Sequence, residues 1–563
     1  MAGKQYRAAA VQTLAALGEL DTNIALLQRY TEEAVRLGSK LVVFPECMNT
    51  GYLFDSAAHC AALAEPLTGR YIQAMAELCK KHRIHIASGF TEKAADGKIY
   101  NSGILLDSGG ELAIHYQKQF LATHDQNWFE FGINGCPVAD TELGRIGLLI
   151  CFDGRIPEIA RCLALQGAEV IVDMANFFAM DQAEMWVPAR AFENGVWFVA
   201  ATKAGIERSI YYPGGSMIVA PSGDVMVRMP HDTHGVVSAE IDTSAAAKKK
   251  WQAGGDKFLD RRPETYALLA KPFKDTPLSP LLEQPLVPEQ ATTKAAAVQA
   301  HMTTRPRSLD AAFEMADHTA KLGVKVIVLP LHFSLDTWLP DAFQAQKAAR
   351  HAPLIVERAA KIAKQYACAL VVPVMEASGS GIAPTALLIG PQGEVIGRSQ
   401  QVHLEPEIRN WASAGSEFKV FDTPFGRIGM LLGYDGMFPE SARVLTLLGA
   451  DIIAWSCAWR HRYERELLAV PKAEDNRVFV VCANRTDCPY PGGSLVIPPN
   501  GFPNWNINLS APPVARHGAV MPGFVNLALA RQKKMIPKVD VVRNRQIATY
   551  SPLIATPRHA VAA

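Results

Sequence analysis

LGRIGLLICFDGRIPEIARCLALQGAEVI, residues 143–171, returns without a gap as FGRIGMLLGYDGMFPESARVLTLLGADII at residues 425–453. One difference carries the most chemistry: Cys151 in the first stretch faces Gly433 in the second. The likeness extends outward in both directions. AAAVQ stands at 8–12 and again at 295–299, and LGSKLVVFPE (37–46) matches LGVKVIVLPL (322–331). YPGGSMIVAPSG (212–223) matches YPGGSLVIPPNG (490–501), and RRPETYALLAKP (261–272) resembles NRQIATYSPLIATP (544–557). A period this long makes each copy a whole domain, not a solenoid repeat. The expected organisation is residues 1–273, a Pro-rich extended linker over 274–293, and residues 294–563.

Bulk properties narrow the class. Charged residues make up 20% and hydrophobic residues 49% of the 563, as in ordinary globular proteins. Lys and Arg number 56 against 55 Asp and Glu, so nothing favours a nucleic-acid partner. The Cys residues form no CxxC pair, which argues against a zinc ribbon or a disulfide scaffold and for reduced thiols in the cytoplasm. No signal-peptide core is evident, and no apolar run reaches the roughly eighteen residues of a membrane span.

Within one copy, strand and helix patterns alternate. KLVVFPE is apolar on both faces, as in a central parallel strand. The spacing predicts helices over 23–38, with Asp21 or Thr22 as N-cap, over 69–83 and over 157–167. GGSMIVAPSG runs into GDVMVRM as a hairpin. Alternation mixed with hairpins implies α/β sheets, partly antiparallel and covered by helices, with two such sheets able to pack face to face within each copy.

In the first copy, four groups stand at or near expected strand ends, where open α/β sheets collect reactive groups: Glu46, Lys118, Cys151 and Asn176. A carboxylate beside a thiol can take its proton. The sulfur can then attack an acyl carbon. An ammonium, with a backbone N–H, can stabilise the resulting oxyanion.

Taken in order, the Pro45-Glu46 turn, Lys118 in HYQKQF and GLLICFDGRIPE around Cys151 resemble the nitrilase, or carbon–nitrogen hydrolase, superfamily. The resemblance spans both copies. It implies two tandem αββα four-layer sandwich domains. It also implies Glu46 as base, Lys118 as oxyanion stabiliser and Cys151 as nucleophile, through a thioester that water hydrolyses, with no metal or organic cofactor. Members often carry a second glutamate in a segment like ExxxFxxG; here HDQNWFEFG (124–132) offers Asp125, one methylene shorter, to orient Lys118 or the water. Cys-Phe-Asp after the strand resembles amidases and carbamoylases more than nitrilases. The expected activity is hydrolysis of a linear amide or N-carbamoyl bond in a small-molecule amide or ureido substrate. Nitrile hydrolysis and a catalytically weak scaffold are the alternatives.

Asn176 and Phe177 follow a strand end beside the nucleophile and are expected to touch substrate. Arg155 is the candidate carboxylate clamp, and Trp128 a candidate for the pocket mouth. The other Cys residues are expected to be packing residues. In the second copy Leu331, Gln401 and Gly433 replace Glu46, Lys118 and Cys151. That copy is expected to be non-catalytic, paired with the first as an intramolecular pseudo-dimer, with further homo-oligomerisation left open.

Overall fold

The computed structural model describes residues 3–251, 254–284, 292–300, 307–379, 381–501, 505–506 and 518–556. The chain forms two compact units, each containing two six-stranded sheets.

In the first unit, Ser39–Val43 lies parallel between Gln5–Gln12 and His85–Lys93. Ile99–Leu106 and Leu112–Gln117 extend this sheet as antiparallel hairpins, and Gly235–Asp242 closes its other edge. The second sheet runs Val225–Arg228, Met217–Val219, Trp197–Thr202, Val170–Ala175, Gly144–Leu149, Val138–Thr141, with a parallel centre and antiparallel edges. The sheets pack face to face so closely that a Cβ at Gly103 would lie 2.5 Å from Met174 Cε. Helices Leu20–Arg36 and Arg70–His82 bury Leu27, Tyr30, Tyr71 and Met75 against the first sheet. Pro157–Leu165 and Val187–Asn194 cover the second. The layers are therefore helix, sheet, sheet, helix.

Local chemistry sets the boundaries. Arg70–His82 starts after Gly69 and stops where Arg83 turns left-handed at φ 52°, with Lys80, Lys81 and His82 in the last turn opposite the negative end of the helix dipole. Leu20–Arg36 begins three residues before the position its spacing predicts. Glu19 is the residue before it and makes no side-chain cap, while Asp21 lies inside the first turn. Burial of the apolar face, not a capping hydrogen bond, fixes that start.

The second unit repeats the plan. Its inter-sheet core joins Ala295, Val326 and Val328 of one sheet to Ile428, Ile452 and Val481 of the other. Within the expected linker, Leu278–Glu283 is a short helix with Leu278 buried, so this part is not the extended chain its prolines predict. Residues 285–291 of the linker lie outside the described residues.

The units do not follow the repeats to their ends. The first comprises Met1–Lys250, Ile536–Asp540 and Asn544–Ala555, and the second Trp251–Met535, Val541–Arg543 and Thr556–Ala563. Each repeat's tail thus falls in the unit of the other repeat's sheets, Ser551–Ile554 against helix Pro157–Leu165 and Ala267–Ala270 against helix Pro439–Leu447. Matched ion pairs mark the exchange. In the second unit Arg261 Nε lies 2.8 Å from Glu440 Oε1, and in the first Arg545 Nε lies 3.3 Å from Glu158 Oε1. All four side chains are buried. Removing one member of a buried pair takes a partner from the other charge in a low-dielectric site. Arg545→Ala is expected to destabilise the first unit by about 3–5 kcal/mol, read as a lower denaturant midpoint of the unfolding step that exposes Cys151. An unchanged midpoint would show that the tail is dispensable.

Candidate active site

Strand ends assemble the site. Ser39–Val43 cannot continue past Pro45, which has no N–H to donate, and Cys47 turns left-handed at φ 53°. Glu46 is held between the two. Lys118 follows Leu112–Gln117, and Gly132 N–H and Asn101 C=O bond its backbone (2.8 and 2.9 Å). Cys151 follows Gly144–Leu149 and Asn176 follows Val170–Ala175. All four leave the carboxyl ends of their strands.

Lys118 Nζ lies 2.6 Å from Glu46 Oε1 and 2.7 Å from Asp125 Oδ2, with all three side chains essentially inaccessible to water. Asn101 Nδ2 donates to Glu46 Oε1 at 2.6 Å and to Asp125 Oδ1 at 3.3 Å. Tyr52 Oη also donates to Asp125 Oδ1 (2.8 Å), and the Ala122 N–H donates to Asp125 Oδ2 (2.8 Å). Asp125 stands in a single turn, Asp125–Asn127. That turn is tied to the chain's far end: Thr123 Oγ1 donates to Pro537 O at 2.6 Å, and Lys538 Nζ to Asn127 Oδ1 at 2.6 Å.

Burial shapes the charges. It pushes the Glu46 carboxyl above its ordinary value, against the pull of Lys118. It also pulls the Lys118 ammonium down, but Asp125 and Glu46 together outweigh it and hold the amine protonated. Burial and then Glu46 push the Cys151 thiol well up, with Lys118 opposing. At rest the sulfur therefore keeps its proton.

The backbone at Cys151 is left-handed, φ 51°, a conformation a non-glycine residue holds only under constraint. Two buried aspartates supply constraints. Asp173 Oδ1 accepts the Cys151 N–H at 2.8 Å. Asp153 accepts from Ile150 N (3.1 Å), Phe120 N (2.8 Å) and Tyr116 Oη (2.6 Å), and burial raises its pKa to about 6. In the second unit Gly433 keeps the left-handed turn at φ 41°, and Asp435 keeps the clamp through the Val402 and His403 N–H groups. Leu331, Gln401 and Gly433 stand there in place of Glu46, Lys118 and Cys151. Glu405 fills the vacated place, accepting from Gln401 Nε2 at 2.8 Å and from Tyr434 N at 3.1 Å.

The expected substrate contacts fall in different settings. Asn176 is fully buried, and both atoms of its side-chain amide lack a hydrogen-bond partner among the described residues. Its backbone carbonyl accepts from Cys151 Sγ at 3.6 Å. Phe177 lines a small cavity against Cys151 with Asp173, Gln182, Trp186 and Arg190. Arg155 pairs with Asp181 at 3.2 Å and stacks on Trp186, its Cζ 3.4 Å from a ring centre, so an internal carboxylate engages it. Trp128 belongs to an aromatic cluster, edge-on to Phe54 at 5.5 Å and Tyr52 at 6.4 Å. Sequence reading did not single out Tyr52, Asn101 or Asp173. Asn101 and Asp173 each left a signal, because the matching residues of the second repeat are Pro384 and Trp455.

Comparison with known proteins agrees with this architecture. Residues 7–250 and 294–502 match the model of the family described as carbon-nitrogen hydrolase. The chain belongs to that family, the nitrilase superfamily, as a tandem duplication. A nitrilase of Pyrococcus abyssi is 34% identical over 249 residues, covering 44% of this chain and 94% of its own length. An (R)-stereoselective amidase of a Pseudomonas species is 32% identical, covering 39% of this chain and 79% of its own. The Caenorhabditis elegans NitFhit structure is 26% identical with a TM-score of 0.40, over 44% of this chain and 63% of that one. Among the described residues, no helix is long and apolar enough to cross a membrane.

Proposed function

We propose that the first repeat hydrolyses a non-peptide linear amide or N-carbamoyl C–N bond through a thioester on Cys151. The observation that carries this reading is Lys118 Nζ bridging Glu46 and Asp125 at 2.6 and 2.7 Å, beside a thiol on which both Glu46 and Lys118 act. Glu46 takes the Cys151 proton as the sulfur attacks the acyl carbon. The oxyanion meets the Lys118 ammonium and a backbone N–H other than that of Cys151, which Asp173 already holds. Glu46 returns the proton to the departing nitrogen, leaving the thioester. It then deprotonates a water that attacks the same carbon, the carboxylic acid departs, and the thiol is restored. Asp125 keeps Lys118 charged and aimed. The unpartnered Asn176 amide offers both a donor and an acceptor to a substrate of matching polarity. Phe177 and Trp128 supply apolar wall, and Arg155, paired with Asp181, shapes it.

We propose no catalytic role for the second repeat. It serves as a scaffold, and its tail completes the first unit. A cytoplasmic setting is supported by ten unpaired, buried thiols.

A panel of purified-enzyme assays with aliphatic amides, ureido acids and nitriles tests the substrate class. Release of acid and ammonia from amides, or of the free amine, carbon dioxide and ammonia from ureido acids, is expected. Turnover of nitriles alone, the activity that names the Pyrococcus relative, would replace the amidase reading.

The pH profile follows from Glu46, whose base form is lost as pH falls through its pKa. Burial lifts that pKa above 4.5, so the acid limb of kcat/KM is expected above the ordinary glutamate range. Glu46→Gln should leave only trace activity without that limb. A limb at an ordinary carboxylate value would contradict the assignment.

A further inference from the structure

Glu46 and Asp125 share one ammonium where almost no atom reaches water. Lys118 alone cannot satisfy four carboxylate oxygens. A second cation would fix both charges, but it would also strip Glu46 of basicity. A neutral donor avoids that loss. Asn101 is the neutral side chain that reaches both carboxylates, through one N–H to Glu46 Oε1 (2.6 Å) and the other to Asp125 Oδ1 (3.3 Å). Its amide oxygen accepts from Cys47 Sγ at 3.7 Å, which orients the NH2 toward the acids.

We infer that Asn101 is a positioning residue: its side-chain amide holds Glu46 and Asp125 around Lys118 in the geometry of a working base. This rests on the reading of Glu46 as that base.

The second repeat separates what the backbone of this residue does from what its side chain does. Pro384 occupies the matching strand position, and its carbonyl accepts the Gln401 N–H at 2.9 Å, as Asn101 O accepts the Lys118 N–H at 2.9 Å. The structural bond survives there and the amide does not. Glu46, Lys118, Asp125 and Cys151 are replaced together by Leu331, Gln401, Ile408 and Gly433. Of the two aspartates that serve the turn, Asp153 is kept as Asp435 and Asp173, which holds the Cys151 N–H, becomes Trp455. The Asn101 amide is thus lost together with the chemical groups.

The ionisable groups around Glu46 come from several elements. Lys118, Asp125, Cys47 and Cys151 surround it, Tyr52 bonds Asp125, and Asp173 and Tyr212 feel its charge. The Lys203–Glu207 pair lies further out and acts on Cys47 and Tyr212. None of these donates to both carboxylates except Lys118. Removal of the Asn101 amide therefore falls on Glu46 and Asp125 directly.

The test needs no knowledge of the substrate. Iodoacetamide alkylation of Cys151 in the full chain is followed by peptide mass spectrometry across pH. The wild-type rate should fall on the acid side through the Glu46 ionisation. Asn101→Leu should move that midpoint up by about one pH unit, because the charged carboxylate loses a donor. The rate should then drop about tenfold on the acid side and little on the plateau. Asn101→Ser, which keeps one short donor, should fall between, and it carries the test alone if the leucine variant does not fold. Asn101→Leu added to Glu46→Gln should change nothing further. A uniform slowing at every pH, with the midpoint unmoved in both variants, would reduce Asn101 to a packing residue. An acid limb that persists in Glu46→Gln alone would instead remove the base assignment, whatever Asn101 does.

Discussion

Cys151→Ala is expected to lower turnover by about 10⁴-fold or more, because the proposed covalent intermediate forms on its sulfur. The fold should survive. Cys151→Gly, which copies the second repeat, should be as inactive yet more stable than the alanine variant by about 1–2 kcal/mol, since glycine accepts the left-handed turn at φ 51° without strain. The reciprocal change should restore nothing. A Cβ at Gly433 would collide with Glu405 Oε1 and lie 2.9 Å from Leu331 Cδ2, and Leu331 and Gln401 stand where the first repeat has Glu46 and Lys118. Turnover by Gly433→Cys in a chain lacking Cys151 would overturn the division between the repeats. Assays of the single and double variants on any amide turned over by the wild type decide the matter.

Lys118→Met is expected to lose both activity and stability. Two carboxylates would be left in a buried site with no cation, a penalty of about 3–5 kcal/mol. The Glu46 carboxyl, already raised by burial, would lose the cation that pulls it down and rise further. A group whose folded pKa lies above its unfolded one contributes its stability below the unfolded pKa and loses it as pH rises. The variant should therefore regain stability toward acid, relative to wild type. Neutralising the acids as well, with Glu46→Gln and Asp125→Asn, should restore most of the denaturant midpoint at neutral pH and none of the activity. A Lys118→Met chain as stable as wild type at neutral pH would mean that the three groups do not form a charged cluster.

The repeat was legible because both copies print the same apolar pattern, and the pattern is what the inter-sheet core selects. Lys118 follows the mixed strand LAIHYQ and needed the resemblance, but Glu46 and Cys151 were legible for a related reason. Each closes an apolar strand, and a polar residue at such a place stands out. Asp125 needed the resemblance, since a lone aspartate in a loop has no local mark. Asn101 lies inside Ile99–Leu106, where it reads as a strand residue like its neighbours. Only its register against His85–Lys93 and the approach of Lys118 turn its amide to use. Tyr52 reaches Asp125 from a loop that Glu207 Oε1 holds through the Tyr52 and Leu53 N–H groups. That contact joins residues more than 150 positions apart, beyond any local pattern. The exchange of tails was equally hidden. Arg261 and Arg545 sit in similar sequences, and nothing local tells which Glu, 158 or 440, each will meet.

The central claim is that one sulfur, in one repeat, forms the covalent intermediate. Rapid acid quench of the enzyme during turnover of an amide, followed by peptide mass spectrometry, tests it most directly. The account predicts one acyl group per chain, on the peptide carrying Cys151, and no adduct in Cys151→Ser. An acyl group on any other cysteine, or steady turnover with Cys151 replaced, would contradict it.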